Sequence, residues 1–529
     1  MLIGRLLHPY GSRTRTEGGE GEIAGDSAVD LQDGGTGGAV GSSIAGAAAA
    51  PNEDSGGGDT QGAALLVLST TPSDGAAGVE RDVAIEVTFS VELDPDSVTP
   101  SNFTVVGSNG VVPGKLEVSG DTVTFKADAA WSLMADYTIE ISPQVTGSDG
   151  SELDGAYRYG FQTRDGAFGA PERVSTVSNI ELGLTGNASG SVAVSWRTPV
   201  TAIAEAAIYD PVSARWGVSS ALDTDTSHTY DSPCLALNEP GDAFAALAGS
   251  AGLWRNRYNG GKWGAAKPEG SDKSYPFCAL ADDGTAMMTW LEYVGSETNV
   301  LAASLSTQDV WSQPTVLQTN AKTWVVRRSG AGLLAIIERA ANGGVYSIYF
   351  DPKTGAGEPK LIKTGAINVV NLETFDSSAL FTWNVESLVE ASLFDGHAWT
   401  TKELGPGAGG TGLGLGASGH IVVWYNQSNT YAARYDLRAG WGDPVQLGAT
   451  TSTYPGPAGG IDPAGNAIAA WPSGSDVAWR RSVHGAEKWA AIQRIPNQDP
   501  NVVSARVDDA GDVMLVWVNA LGVWASRFE

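Results

Sequence analysis

Residues Asp462–Trp471 read DPAGNAIAAW, Asp508–Trp517 read DDAGDVMLVW and Ala281–Trp290 read ADDGTAMMTW. Each begins with a turn and continues through a short apolar run to a tryptophan. NASG (Asn187–Gly190) and NEPG (Asn238–Gly241) are further copies of the turn. Asp or Asn first and Gly fourth suit a type I turn, because the side chain accepts from the backbone and glycine tolerates the exit geometry. The residue six after the turn glycine is Trp196, Leu247, Trp290, Glu338, Trp383, Trp424, Trp471 or Trp517, with Ser377 and Ser418 replacing the glycine in two units. The spacings are 51, 43, 48, 45, 41, 47 and 46. A fixed period of this size marks a propeller or a solenoid.

The seventh unit resolves into four strand-like runs, GPAGGID, AIAAW, VAWRRSV and KWAAIQRI. Four short strands per repeat make one blade of a β-propeller, and the missing 3.6-residue periodicity excludes a helical solenoid. The last unit ends at VWASRFE, one strand short. The strand it lacks carries W..P..L, as in WGDPVQL (Trp441–Leu447) and WSQPTVL (Trp311–Leu317), and FGAPERV (Phe168–Val174) fits that pattern. The expectation is a propeller over residues 166–529 whose last blade is closed by a strand near 168–174. Eight anchors favour eight blades. Glu338 and Leu247 break the aromatic pattern, so seven stay open.

The rest of the chain divides in two. Residues 1–63 are rich in Gly, Ala, Ser and acidic residues. Such a stretch buries too little apolar surface to order itself, and a disordered, flexible leader is expected. Residues 64–165 switch to period-two alternation in VAIEVTF, TVTFKA and YTIEIS, separated by turn signals such as PSDG, as in an antiparallel sandwich. With TPSDGAAGV (Thr71–Val79), VTFSVELDPDSV, NFTVVG, TVTFKADAAWSLMADYTIEIS and YGFQT (Tyr159–Thr163), this segment resembles the bacterial Ig-like domain of the S-layer-protein type. That resemblance implies a spacer or adhesion module and brings no catalytic residue. The fold class is therefore all-β, an Ig-like sandwich followed by a propeller.

Composition narrows the function. Acidic residues outnumber basic ones 60 to 32 over 529 residues, a net charge of −28, which repels nucleic acid and anionic lipid. Only 17% of residues are charged and 68 are glycine, as short strands with tight turns require. No run of about 20 apolar residues spans a membrane. The N-terminus shows no readable export signal, and a start that omits a signal or lipoprotein anchor is one expectation. Cys234 and Cys278 form no CxxC and no zinc site. They sit one residue apart relative to the repeat, which points them to opposite faces of a strand, so free buried thiols are expected over a single bridge.

Two aromatic positions recur in each unit. The first ends the second strand and reads as a wedge between blades, where burial of a Trp is worth on the order of 4–6 kcal/mol at most. The second (Trp216, Trp263, Trp311, Trp399, Trp441, Trp489) stands beside Gly-rich loops, and two readings stand for it, packing or a ring of sugar platforms. Candidate ligand-binding residues are Trp263, Trp399, Trp441, Trp489, Arg257, Arg434 and Arg480. The layout resembles that of fucose-type propeller lectins, although the arginines do not follow the repeat.

No G-x-S-x-G or H-E-x-x-H occurs, and the tryptophan spacing fits neither sialidase boxes nor quinoprotein dehydrogenases. No catalytic residue, metal site or cofactor is expected. The reading is a non-enzymatic cell-surface or secreted binding protein, in the extracellular space or cell envelope, with an extracellular glycan or envelope protein as partner. The alternatives are a propeller glycoside hydrolase or lyase acting on extracellular polysaccharide, and a purely structural envelope protein.

Overall fold

The computed structural model describes residues 64–529, apart from 179–181, 199–200, 226, 231–232, 251, 340–342, 366–367, 408–409, 452–455 and 487. The leader expected over 1–63 lies outside the described residues. All regular structure described is strand, save one short 3-10 turn at Pro95–Ser97. No helix among the described residues is long and apolar enough to cross a membrane.

Residues 65–163 form two facing sheets. One orders Val67–Thr71, Ile85–Phe89, Thr122–Ala127 and Gly114–Ser119, and the other Ala76–Val79, Tyr157–Thr163, Asp136–Ile141, Phe103–Gly107 and Gly110–Val111. Alternation drives the packing. In Ile85–Phe89 the residues Ile85, Val87 and Phe89 are buried, while Glu86 between them is exposed. Trp131, Tyr137 and Phe161 close this core edge to face.

Eight antiparallel sheets follow in chain order. Their innermost strands are Leu182–Gly186, Cys234–Leu237, Lys273–Leu280, Ala321–Ser329, Asn368–Phe375, Thr411–Gly416, Ala458–Ile461 and Val502–Val507. Each innermost strand neighbours the next, and the eighth neighbours the first, so the sheets run in a cycle. The outermost strand of the eighth sheet is Glu172–Ser175, antiparallel to Gly522–Phe528. The chain thus brings its last sheet to completion with a strand drawn from before the first, covering a backbone edge that would otherwise be open.

The apolar core is divided among the seams between consecutive sheets. Trp471 of the seventh sheet packs on Ile421, Val423 and Tyr425 of the sixth, and Trp517 of the eighth on Ile468 and Ala470 of the seventh. Trp196 of the first sheet packs on Met514 and Val516 of the eighth, which carries the same seam across the junction of first and last. The six strand-end tryptophans, Trp196, Trp290, Trp383, Trp424, Trp471 and Trp517, are almost fully buried, and Leu247 serves in the second sheet. Indole N–H groups pin the chain as well. Trp424 donates to the Pro406 carbonyl at 3.1 Å and Trp471 to Ala449 at 2.9 Å, in each case the last residue of the preceding sheet's outermost strand. In the fourth sheet Glu338 takes the wedge position, fully buried, with Oε1 2.8 Å from Lys322 Nζ.

Cys234 and Cys278 are joined in a disulfide, with Cα atoms 5.9 Å apart, which corrects the expectation of free thiols. Cys234 pairs with Ala246, one residue before Leu247, and Cys278 with Met288, two before Trp290. They do face opposite sides of their own sheets. In stacked neighbours, however, those are the two sides that look at each other, so the one-residue offset brings the sulfurs together.

The turn that opens the sequence argument joins the first and second strands. Asn187, Asn238, Asp462 and Asp508 each accept, through the side chain, from the backbone N–H four residues on. Gly190, Gly241, Gly465 and Gly511 adopt positive φ there. In the seventh and eighth sheets these turns carry the Ig-like domain. Leu133 enters the seam between those sheets, and its N–H donates to the Ala510 carbonyl at 2.8 Å. Arg81 meets Asp512 at 2.6 Å, Arg481 meets Asp165 at 2.9 Å, and the Asn466 amide donates to the Met134 carbonyl at 3.3 Å. The two folds share a joint built into a core, which differs from a spacer strung on a free linker.

Asp508, Asp512 and Arg527 lie at the centre of this joint, with Arg527 Nη2 2.6 Å from Asp512 and 3.6 Å from Asp508. Desolvation, then repulsion from Asp512, pushes the Asp508 carboxyl from 3.8 up to about 7. The raised value means the folded state holds a proton that the unfolded chain releases. Its contribution to stability is complete below about pH 4 and is lost as pH rises through about 7.

Two outcomes follow from these contacts. Trp471→Ala leaves a cavity in a shared seam and should cost about 3–5 kcal/mol in urea unfolding; a cost under about 1 kcal/mol would remove the wedge role. Asp508→Asn should shrink the drop in melting temperature between about pH 5 and about pH 8, and an unchanged drop would show that Asp508 does not titrate there.

Candidate functional site

The second recurring aromatic packs against its own sheet. Trp263 lies 5.5 Å from Tyr258, Trp441 5.3 Å from Tyr435 and Trp399 5.2 Å from Phe394, ring centre to ring centre. Trp399 also donates to Ser347 Oγ at 3.1 Å, and Trp489 is buried in the seam between the sixth and seventh sheets. Trp263, Trp399 and Trp441 stay half-buried.

The arginines are regular after all, once strand pairing sets the register. Arg257, Arg434, Arg481 and Arg527 face Phe244, Ile421, Ile468 and Met514, each three residues before its sheet's wedge. All four stand ten residues after that wedge in the sequence (Leu247, Trp424, Trp471, Trp517). Arg480, chosen from the sequence, is one position off this row. Arg257 donates to the carbonyls of Gly284, Leu305 and Ser306 in the third sheet, and Arg434 to those of Gly465 and Ser482 in the seventh. Arg481 lies over the Phe528 ring and Arg527 over Tyr209, each ring belonging to the following sheet. Arg480 donates to the carbonyls of Ala490, Leu447 and Trp489. Arg257, Arg434 and Arg480 thus spend most of their donors on bonds between and within sheets, and Trp263, Trp399, Trp441, Trp489, Arg257, Arg434 and Arg480 are spread over several sheets.

A different place gathers polar and charged groups. A cleft of about 450 Å³ opens at the ends of the first three sheets, lined by Arg197, Ala202, Thr229, Tyr230, Gly249, Ser250, Lys273, Ser274 and Tyr275, with Ala248 at its floor. Its size falls within the span of small-ligand clefts, about 300–1,000 Å³. Arg197 and Gly249 are the last residues of second strands, and Lys273 is the first residue of an innermost strand. The cleft therefore lies at the strand ends opposite the turns on which the Ig-like domain docks.

Local irregularity shapes it. The register of Lys273–Leu280 shifts between Ser274 and Phe277, and within that bulge Tyr275 holds φ 50°, a left-handed conformation that costs a non-glycine residue energy. The bulge leaves the Tyr275 ring 39% exposed. Ser274 Oγ is buried and has no hydrogen-bond partner among the described residues. Lys273 Nζ is held 4.7 Å from the centre of the Trp290 ring, and neither Lys273 nor Arg197 has a carboxylate within ion-pair distance among the described residues.

Behind the cleft wall, Asp223 accepts through Oδ2 from the Tyr230 hydroxyl and lies 2.7 Å from His228 Nδ1. Desolvation works against the Asp223 carboxylate, but the bonds from Tyr230 and His228 hold it below the usual value. Burial, then the bond to Asp223, pushes the Tyr230 hydroxyl above the ordinary tyrosine range. Among the described residues no group of three His, Cys, Asp or Glu is placed to hold a metal ion.

The sequence family described as a bacterial Ig-like domain matches residues 61–163. No curated protein sequence matches the chain significantly. Among solved structures, the chain is similar to a fucose-specific lectin from Aleuria aurantia, at 11% identity over 62% of this chain and 99% of that one, with a TM-score of 0.31. It is also similar to an ulvan lyase, at 11% identity over 68% and 93%, TM-score 0.38. Hydrazine synthase from Kuenenia stuttgartiensis gives 11% identity over 59% and 95%, TM-score 0.38. Likenesses this distant span three unrelated activities and carry no argument about function.

Proposed function

We propose that the chain is a non-enzymatic binding protein of the cell surface or extracellular space, an eight-bladed β-propeller that takes a saccharide in the cleft of its first three blades. The observation that carries the reading is the pair Ser274 and Tyr275, a buried hydroxyl with no partner among the described residues beside an exposed ring held in a strained conformation. A sugar needs an apolar face to lie on and polar groups for its hydroxyls; Tyr275 offers the face, and Thr229 and Ser250, whose hydroxyls bond each other, line the cleft around it with Ser274. Backbone strain kept at such a place is a mark of function. The Ig-like domain, docked on the opposite end, leaves the cleft open to a large ligand, and its S-layer-type resemblance fits a protein of the cell envelope. The Cys234–Cys278 bridge fits an oxidising compartment.

A second reading has its own observation. Asp223, His228 and Tyr230 form a carboxylate, imidazole and phenol chain against the cleft, a set suited to moving a proton to or from a bound polysaccharide. On that reading the protein is a lyase or glycoside hydrolase.

Glycan-array binding by the full chain, beside Tyr275→Gly, separates the two. Binding that falls about tenfold or more in the variant, with the melting temperature kept because glycine relieves the φ strain, supports the cleft. Equal binding by the variant would remove it. New reducing ends or unsaturated sugars in the incubated glycan would favour the enzyme, and their loss in His228→Ala would assign it to this cluster.

A further inference from the structure

We propose that the ligand of this cleft is an anionic saccharide, whose carboxylate or sulfate sits between Arg197 and Lys273; this rests on the saccharide reading above. The chain carries 60 acidic against 32 basic residues, so a cation beside a cleft ordinarily has a carboxylate near it. The lysines at neighbouring wedge positions show the rule. Lys322 pairs with Glu338 and Lys363 with Glu390. Lys363 also lies over the ring of the wedge Trp383, at 5.1 Å, as Lys273 lies over Trp290. Lys363, from the outermost strand of the fourth sheet, thus lies over the wedge tryptophan of the fifth with its charge already neutralised by Glu390. In the third blade Glu292 is the cross-strand partner of Lys273, yet among the described residues no carboxylate comes within ion-pair distance of it, and the lysine lines a cleft.

Arg197 reaches the same space from two blades away. It is the last residue of Val192–Arg197, and among the described residues neither a hydrogen bond nor an ion pair engages it. A planar guanidinium with unengaged donors matches a carboxylate or sulfate, both of which present two oxygens in a plane. The Trp290 face holds Lys273 in place without satisfying its three N–H donors, so an incoming oxyanion finds them oriented. Desolvating two cations for a neutral sugar would cost affinity, whereas an anion recovers that cost through charge-assisted bonds. The neutral part of the recognition stays with Tyr275, Ser274 and Ser250.

The test is calorimetric titration of the full chain with four probes: a uronic-acid oligomer, its carboxyl-reduced counterpart, a sulfated neutral-sugar oligomer and the same oligomer without sulfate. Arg197→Gln and Lys273→Gln are titrated beside the wild type, and circular dichroism confirms that both fold. The expected result is binding of one charged probe that weakens about tenfold in each variant, with the uncharged counterpart at least about tenfold weaker for wild type. Which charged probe binds tells carboxylate from sulfate. A neutral probe that binds wild type as tightly as its charged partner, and loses binding in Tyr275→Gly but not in the charge variants, would overturn the anion and leave the saccharide cleft standing. Silence from all four probes and from the array would overturn both readings.

Discussion

Closure is the constraint on which the rest of the molecule depends. Each of the eight sheets carries apolar side chains on both faces, and neither face is covered until the neighbour on that side is present. The seam of Trp196 with Met514 and Val516 joins the first blade to the last, and Glu172–Ser175 hydrogen-bonds the final strand into place. Remove that pairing and the eighth blade loses its outer strand, its seam with the first blade loosens, and two faces meet water. The repeated tryptophan is the local form of the same requirement. It fills the seam at one strand end and, in Trp424 and Trp471, ties down the crossing from the blade before.

The two ends of the eight sheets differ. At the first-to-second-strand turns, side-chain carboxylates and amides cap the backbone, and in the last two blades they also receive Arg81, Leu133 and Met134 of the Ig-like domain. A buried acidic pair, Asp508 and Asp512 shared with Arg527, lies at that joint. The other end is free of the Ig-like domain at the first three blades, and there the strand ends are irregular. The bulge at Ser274–Tyr275, the cations Arg197 and Lys273 and the small residues Ala248 and Gly249 all lie at that end.

Periodicity decides what could be read beforehand. The Ig-like segment and the all-β class were legible because alternation and turn chemistry are short-range properties. The wedge tryptophans were legible because every blade but two repeats them. The arginine row stands in the sequence too, ten residues past the wedge, yet only four blades carry it, and strand register was needed to see that Arg481 and not Arg480 belongs to it. The disulfide was not legible because residue offset fixes a face within one sheet, while the bridge joins facing sides of two. The cleft could not have been found this way. Arg197, Tyr230, Lys273 and Tyr275 come from three sheets, and their meeting depends on how consecutive strand ends lie side by side.

The most direct test of closure is a cross-link between the paired residues Glu172 and Ala525. The full chain carrying Glu172→Cys and Ala525→Cys would be oxidised, mapped by mass spectrometry and melted. A closed ring predicts a disulfide between the two introduced cysteines alongside the native one and a higher melting temperature, because the strand that seals the last blade can no longer leave it. Free thiols at both positions in the folded protein would contradict the closure on which the account rests.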